Sequence, residues 1–172
     1  MLSIFDRGAF APCPAPFNFT AHVLSQADVD PDKIALAVLS SAGSERWSYG
    51  RLKAAVLGTG TGLLQKGFKP GDILLMRLGN TVEFPLAYLG AIAVGLVPVP
   101  TSSMLTAAEV RKMVAQLSPA GILFDKDVAC PDDTGLPMVE TAELIAMRDL
   151  PPADYDMGDP NRLAYIIYTS GT

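Results

Sequence analysis

Residues 69–100, KPGDILLMRLGNTVEFPLAYLGAIAVGLVPVP, hold the reading on which the fold turns. KPGD (69–72) is turn material. ILLM (73–76) is a short apolar run of buried-strand type. Residues 82–94 are apolar almost all round, which predicts a helix buried on most of its sides. Asn80 or Thr81 is placed to cap it, and Asn80 with Glu83 reads as a capping box. Pro85 falls just past the first turn and removes one backbone bond. Gly95 ends the helix, and VPVP (97–100) is extended. Strand, helix, strand in this order is a βαβ unit, so two parallel strands are expected.

The pattern repeats downstream. Thr106 and Glu109 form a capping box, and Val110, Met113, Val114 and Leu117 follow at helical spacing. Ser118-Pro119 stops that helix. GILF (121–124) is the next buried strand, CPDDTGLP (130–137) is loop, and Thr141 to Arg148 is a short helix. LAYIIY (163–168) carries the most pronounced strand pattern of the chain. Upstream, Leu52, Val56 and Leu63 mark a helix from Tyr49 to Lys66. Its GTGTG (58–62) has the spacing GxGxG with no strand before it, so it reads as helix rather than as a dinucleotide loop. Glycines there permit close approach of a neighbouring element. IALAVLS (34–40), SAGSE (41–45) and RWSY (46–49) read as a β-hairpin, and FNFTAHVLSQAD (17–28) as a helix. The expected fold is α/β: an N-terminal β-hairpin, then βαβ units forming a mainly parallel sheet with helices on its faces. Residues 1–16 form a Pro-rich N-terminal segment, 17–149 the α/β subdomain, 150–162 a linker, and 163–172 a strand with the loop that follows it.

Composition narrows the function. The 172 residues suffice for one compact domain with a real core. The chain is 49% hydrophobic with a mean hydropathy of +0.30, which points to a heavily buried core or to surface normally covered. The formal net charge is −5 and no Lys/Arg cluster occurs, which speaks against nucleic-acid binding. Cys13 and Cys130 fit neither a CxxC pair nor a disulfide framework, and read as reduced thiols in a cytoplasmic protein. With one histidine, His22, a His/Cys metal site has little material. The longest uncharged stretch, Phe84 to Pro100, is too short and too rich in proline to span a bilayer.

Chemistry enters at the end of the chain. In LAYIIYTSGT an apolar strand runs directly into Thr169, Ser170, Gly171 and Thr172. Hydroxyls can donate to phosphate oxygens, and glycine lets backbone N–H groups approach closely. Ligands of α/β sheets bind beyond the carboxyl ends of strands, which is where this loop leaves. The four residues lack the Walker ending GK[ST], and by themselves they also fit a solvent turn. Trp47, Ser48, Tyr49, Asn80, His22 and Asp159 read as packing, capping or turn residues.

YIIYTSGT resembles the opening of the Tyr-Thr-Ser-Gly-Thr-Thr-Gly-x-Pro-Lys signature of the AMP-forming adenylate ligases. These include acyl- and aryl-CoA synthetases, peptide-synthetase adenylation domains and firefly-type luciferases. WSYGRL (47–52), KPGDILLMRLGN (69–80), FPLAYLGAIAVGLVPVP (84–100) and LTAAEVRKMVAQLSPAGILFD (105–125) resemble further segments of the family in the same order and spacing. FNFTAHVL resembles the entry segment of medium-chain acyl-CoA synthetases, and NTVEFPLAYLGAIAVGLVPVPTSSMLT the benzoate-CoA ligase group.

The resemblance implies an acid–CoA ligase acting through an acyl-adenylate. A small aromatic or short-to-medium aliphatic carboxylic acid attacks the α-phosphate of ATP, with Mg²⁺ offsetting phosphate charge, and the acyl group passes to coenzyme A. Thr169, Ser170, Gly171 and Thr172 carry over as nucleotide contacts that orient the leaving pyrophosphate. No catalytic or metal-binding residue carries over. The signature breaks off after Thr172, so the chain reads as an amino-terminal fragment. It is expected to be inactive alone and to self-associate through apolar surface that the rest of the enzyme would cover. A carrier-protein-loading adenylation domain and a non-catalytic α/β binding or assembly module are the alternatives.

Overall fold

The computed structural model of the chain describes residues 8–9, 11–41 and 43–168. The βαβ unit is present as β3 (Ile73–Arg77), α3 (Glu83–Ala93) and β4 (Val97–Pro100), numbered after the upstream elements β1 (Ile34–Ser40), β2 (Gly43–Ser48), α1 (Phe19–Val23) and α2 (Tyr49–Gln65). Beyond it follow α4 (Ala107–Leu117), β5 (Gly121–Phe124), β6 (Met138–Glu140) and α5 (Thr141–Met147). The sheet order is β4-β3-β5-β6, and each pairing is parallel. β1 and β2 form a separate antiparallel hairpin.

A parallel sheet covered on both faces needs strands that are apolar at every position, and Leu74, Leu75 and Met76 of β3 are all buried. Alternation along the strand then sorts the core. Leu74 and Met76 pack with Leu63, Ala87, Ala91 and Leu123 under α2 and α3. Leu75 faces the other way, into Val99, Val110, Met113 and Ile122 under α4. A third cluster, with Trp47, Leu52, Val56 and Leu86, seats the hairpin against α2 and α3.

The GTGTG stretch lies inside α2, as its spacing indicates, and close approach explains it. A Cβ at Gly58 would stand 2.8–2.9 Å from the carbonyl oxygens of Met147, Arg148 and Leu150. One at Gly90 of α3 would stand 2.8 Å from the carbonyl oxygen of Val56. Backbone thus meets backbone where α2 crosses α3 and the end of α5. The Thr106–Glu109 capping box is formed in both directions, and Ser118 closes α4 with φ 48 before Pro119. Gly95 follows α3 with φ 77, the conformation that ends a helix.

Several elements differ from the sequence reading. The helix over 17–28 is divided into α1 and a 3₁₀ turn, Ser25–Asp28. Asn18 caps α1: its Oδ1 accepts from the backbone N–H of Thr20 and Ala21. Its Nδ2 donates to the carbonyls of Ile92, Ala93 and Asp156, which fastens the N-terminal segment to the end of α3. The cap expected from Asn80 or Thr81 is absent. Val82 holds the cap position of α3 and has no side-chain acceptor to offer, while the Glu83 carboxylate pairs with the Arg148 guanidinium at the end of α5. β6 arises where a loop-to-helix junction was expected.

The strand expected over 163–168 does not form among the described residues. The segment lies along the outer edge of β4 and makes one backbone bond there, Ile166 N–H to Pro98 O at 3.1 Å. Val97 N–H points inward, to Asp72 O, so by the alternation of the strand the backbone groups of Pro98 and Pro100 face outward. Proline has no N–H, so this edge offers acceptors without donors and a continuous ladder cannot propagate.

Candidate functional site

The carboxyl ends of β3, β4 and β5 lie side by side, since Met76 pairs with Pro100 and Arg77 with Phe124. Arg77 is the last residue of β3 and is completely buried. Its Nε and one Nη2 hydrogen go to Ala129 O, the other Nη2 hydrogen to Leu105 O at 3.0 Å. Nη1 donates to Thr101 Oγ1 at 2.9 Å and to Ser102 O. All five donors of a guanidinium are engaged. Each acceptor is neutral. Burial lowers the Arg77 pKa, with the neighbouring Cys130 acting in the opposite sense. Burial likewise pushes the Cys130 thiol up, although the Arg77 charge opposes it. Thr101 passes the restraint on by donating its hydroxyl to Met76 O at 2.7 Å. The 101–105 loop and the loop ending at Cys130 are therefore welded together over the sheet.

Above this weld lies a cavity of about 330 Å³ lined by Pro100, Ser102, Leu105, Glu109, Met113 and Tyr168. Tyr168 is the last described residue and directly precedes Thr169. Its hydroxyl donates to Gln116 Oε1 on α4 at 2.9 Å. Two residues earlier, Ile166 is half-buried against the Leu75–Val99–Val110 cluster. On the far side of the segment, Tyr165 stands 5.7 Å from the Tyr88 ring. Burial, aided by Tyr165, pushes the Tyr88 phenol up to about 12.

Thr169, Ser170, Gly171 and Thr172 lie outside the described residues. What the structure places is their approach, through Ile166 and Tyr168. Trp47 is core, under the guanidinium of Arg51 at 3.5 Å. His22 is on α1, its ring 5.6 Å from that of Phe17. Among the described residues no three His, Cys, Asp or Glu side chains cluster as metal ligands. Sequence reading missed Arg77 and Gln116. A lone arginine at the end of an apolar strand was a usable signal for the first, but an exposed glutamine on a helix gave none for the second.

Residues 23–172 match the family described as AMP-binding enzyme. The chain belongs to that family. Among curated relatives it is 29% identical over 153 residues to one of the plipastatin synthase proteins of Bacillus subtilis (strain 168), covering 86% of the chain and 6% of that protein. It is 28% identical over 142 residues to 4-hydroxybenzoate--CoA/benzoate--CoA ligase of Rhodopseudomonas palustris, covering 73% and 26%. Among solved structures, a benzoate CoA ligase from Burkholderia xenovorans LB400 superposes with a TM-score of 0.75 at 22% identity, covering 87% of the chain and 32% of that protein. The last likeness establishes the fold. The chain spans about a third or less of the length of these relatives. Its α/β core is like that of the benzoate CoA ligase and of the N-terminal domain of FACL13 from Mycobacterium tuberculosis. Among the described residues no helix is long and apolar enough to cross a membrane. The expected self-association gains no support from the fold or the relatives.

Proposed function

We propose that the chain forms the amino-terminal part of an ATP-dependent, AMP-forming acid–CoA ligase. The acid is small and aromatic or short-to-medium and aliphatic. Its carboxylate attacks the α-phosphate of ATP, pyrophosphate leaves, and the acyl group of the adenylate passes to coenzyme A. The observation that carries this reading is the match of residues 23–172 to the family described as AMP-binding enzyme, together with the sequence TSGT at 169–172 that resembles the opening of the adenylate-ligase signature. The work of the loop is to hold the β- and γ-phosphates through hydroxyl and backbone donors, so that pyrophosphate is positioned to leave. When bound, Mg²⁺ supplies charge neutralisation. Among the described residues, Arg77 and Thr101 brace the carboxyl end of β3.

A benzoate-CoA ligase among both the relatives and the structural neighbours supports the acid–CoA choice. A second reading, an adenylation domain that loads a carrier protein, is favoured by the relatives named as plipastatin synthase and surfactin synthase proteins. The complete protein, assayed with a panel of aromatic and aliphatic acids, is expected to form acyl-CoA thioesters. Strict preference for amino acids with no CoA product would sink the first reading in favour of the second. Residues 1–172 alone are expected to lack acid-dependent ATP–pyrophosphate exchange, and measurable exchange by the purified chain would refute that.

A further inference from the structure

We propose that residues 150–162 are a strap rather than a linker. With Phe17 and Asn18 they form one latched unit, closed on Asp156, that lifts from α2 and the end of α3 while the parallel sheet stays folded. The strap begins just beyond α5 and is tied down in order along its length. Thr61 Oγ1 of α2 donates to Pro151 O at 2.6 Å, and Ala153 N–H donates to Leu57 O at 3.1 Å. Asp156 N–H donates to Ala93 O at 2.8 Å. Phe17 and Gly158 then exchange two backbone bonds, of 2.8 and 3.1 Å, as an isolated antiparallel bridge.

Asp156 is the hub, because its amide, carbonyl and carboxylate all find partners. Its N–H satisfies one of the last carbonyls of α3, which have no partner within the helix. Its carbonyl accepts from Asn18 Nδ2 at 3.0 Å and from Arg162 Nη2. Its carboxylate accepts from Arg162 Nη1 at 2.7 Å. Two glycines leave room for this latch. The carboxylate lies where a Cβ on Gly95 would stand, and a Cβ on Gly158 would come within 2.9 Å of Arg162 Nη1. Asn18 is buried and bonds both to the strap and to the end of α3, so lifting the strap also loosens the N-terminal attachment. A small cavity of about 80 Å³ lies under the latch, lined in part by Phe17, Asn18, Ile92, Leu96 and Arg162. None of these ties ends on a strand of the sheet. Leu150 and Ala153 pack on the core, and both are only partly buried. Bonds that share residues and avoid the ladder open together as a local unit.

Native-state amide exchange of the 172-residue chain tests the strap, with Arg162→Ala, Arg162→Lys and Gly158→Ala as variants. In the wild type, the amides of Phe17, Ala153, Asp156 and Gly158 are expected to share one protection factor. It should lie below that of Ala120 and Ile122, whose N–H groups bond within the sheet region to Ile73 O and Pro137 O. Arg162→Ala removes two bonds to Asp156, one of them between charges, and should speed all four strap amides on the order of tenfold. Ala120 and Ile122 should keep their rates. Gly158→Ala, which displaces the guanidinium, should give the same four-amide signature, and Arg162→Lys, which keeps the charge, a smaller one. Four amides with unrelated rates in the wild type would overturn the single unit. Protection equal to that of Ala120 and Ile122 would show that the strap opens only with the whole fold. Unchanged exchange in both alanine variants would remove Asp156–Arg162 as the latch.

Discussion

Arg77 shows how much one side chain can hold when its donors match its surroundings. Lysine has three donors where Arg77 uses five, and a point charge where the acceptors surround a planar fork. Arg77→Lys is expected to cost about 2 kcal/mol, read as a lower urea midpoint. Cys130 beside it has its thiol pKa raised above the ordinary value of 9.0 by burial. A raised thiol carries less thiolate at a given pH, and thiolate is the reactive form. At pH 8, alkylation of exposed Cys13 should outpace that of Cys130 by about tenfold, as peptide mass spectrometry would show. The linkage has the corresponding sign. The Cys130 contribution to stability is full below pH 9.0 and lost as pH rises through the higher folded pKa. The Arg77 role was only half legible in sequence. An arginine ending an apolar run is visible, but Thr101, Ser102, Leu105 and Ala129 are remote in the chain and meet it through folding.

α2 and α3 are elements whose periodicity revealed their type and whose glycines revealed their packing. Gly58→Ala adds helix propensity worth about 1 kcal/mol in isolation. Here the new Cβ would press within 2.8–2.9 Å of three backbone oxygens that cannot turn away. The clash is expected to dominate, with a net loss of about 1–3 kcal/mol in thermal unfolding. Gly58→Ala variants of equal or greater stability would show that α5 yields instead. The Thr106–Glu109 box was fully legible, since both partners lie within one turn. Thr106→Ala should cost about 1 kcal/mol by urea titration. The α3 cap was misread for the opposite reason. Glu83 is a local partner for Asn80 in sequence, but Arg148 is a charged partner that arrives from the far end of the fold.

At the scale of the whole molecule, Asn18 joins parts that are distant in sequence, with Ile92, Ala93 and Asp156 all bonded to one amide group. Asn18 is buried, so Asn18→Ala would strand those carbonyls and the α1 N–H groups together. A loss of about 2–3 kcal/mol in urea is expected, with the first amides to lose exchange protection in α1 and around Asp156. Sequence alone determined the α/β class and the βαβ order, because apolar periodicity, caps and turn residues are local properties of the chain, and its motifs carried the adenylate-ligase resemblance over roughly 17–172. The resemblance nominates Thr169, Ser170, Gly171 and Thr172 as phosphate contacts, and they lie outside the described residues. The tertiary structure decided which strands are neighbours, where the charge of Arg77 is housed, and that LAYIIY lies pinned beside β4 rather than zipped to it. The physical reason is pairing. A strand pattern in sequence declares what a segment can do, but a ladder needs donors on the opposing edge, and Pro98 and Pro100 withhold them.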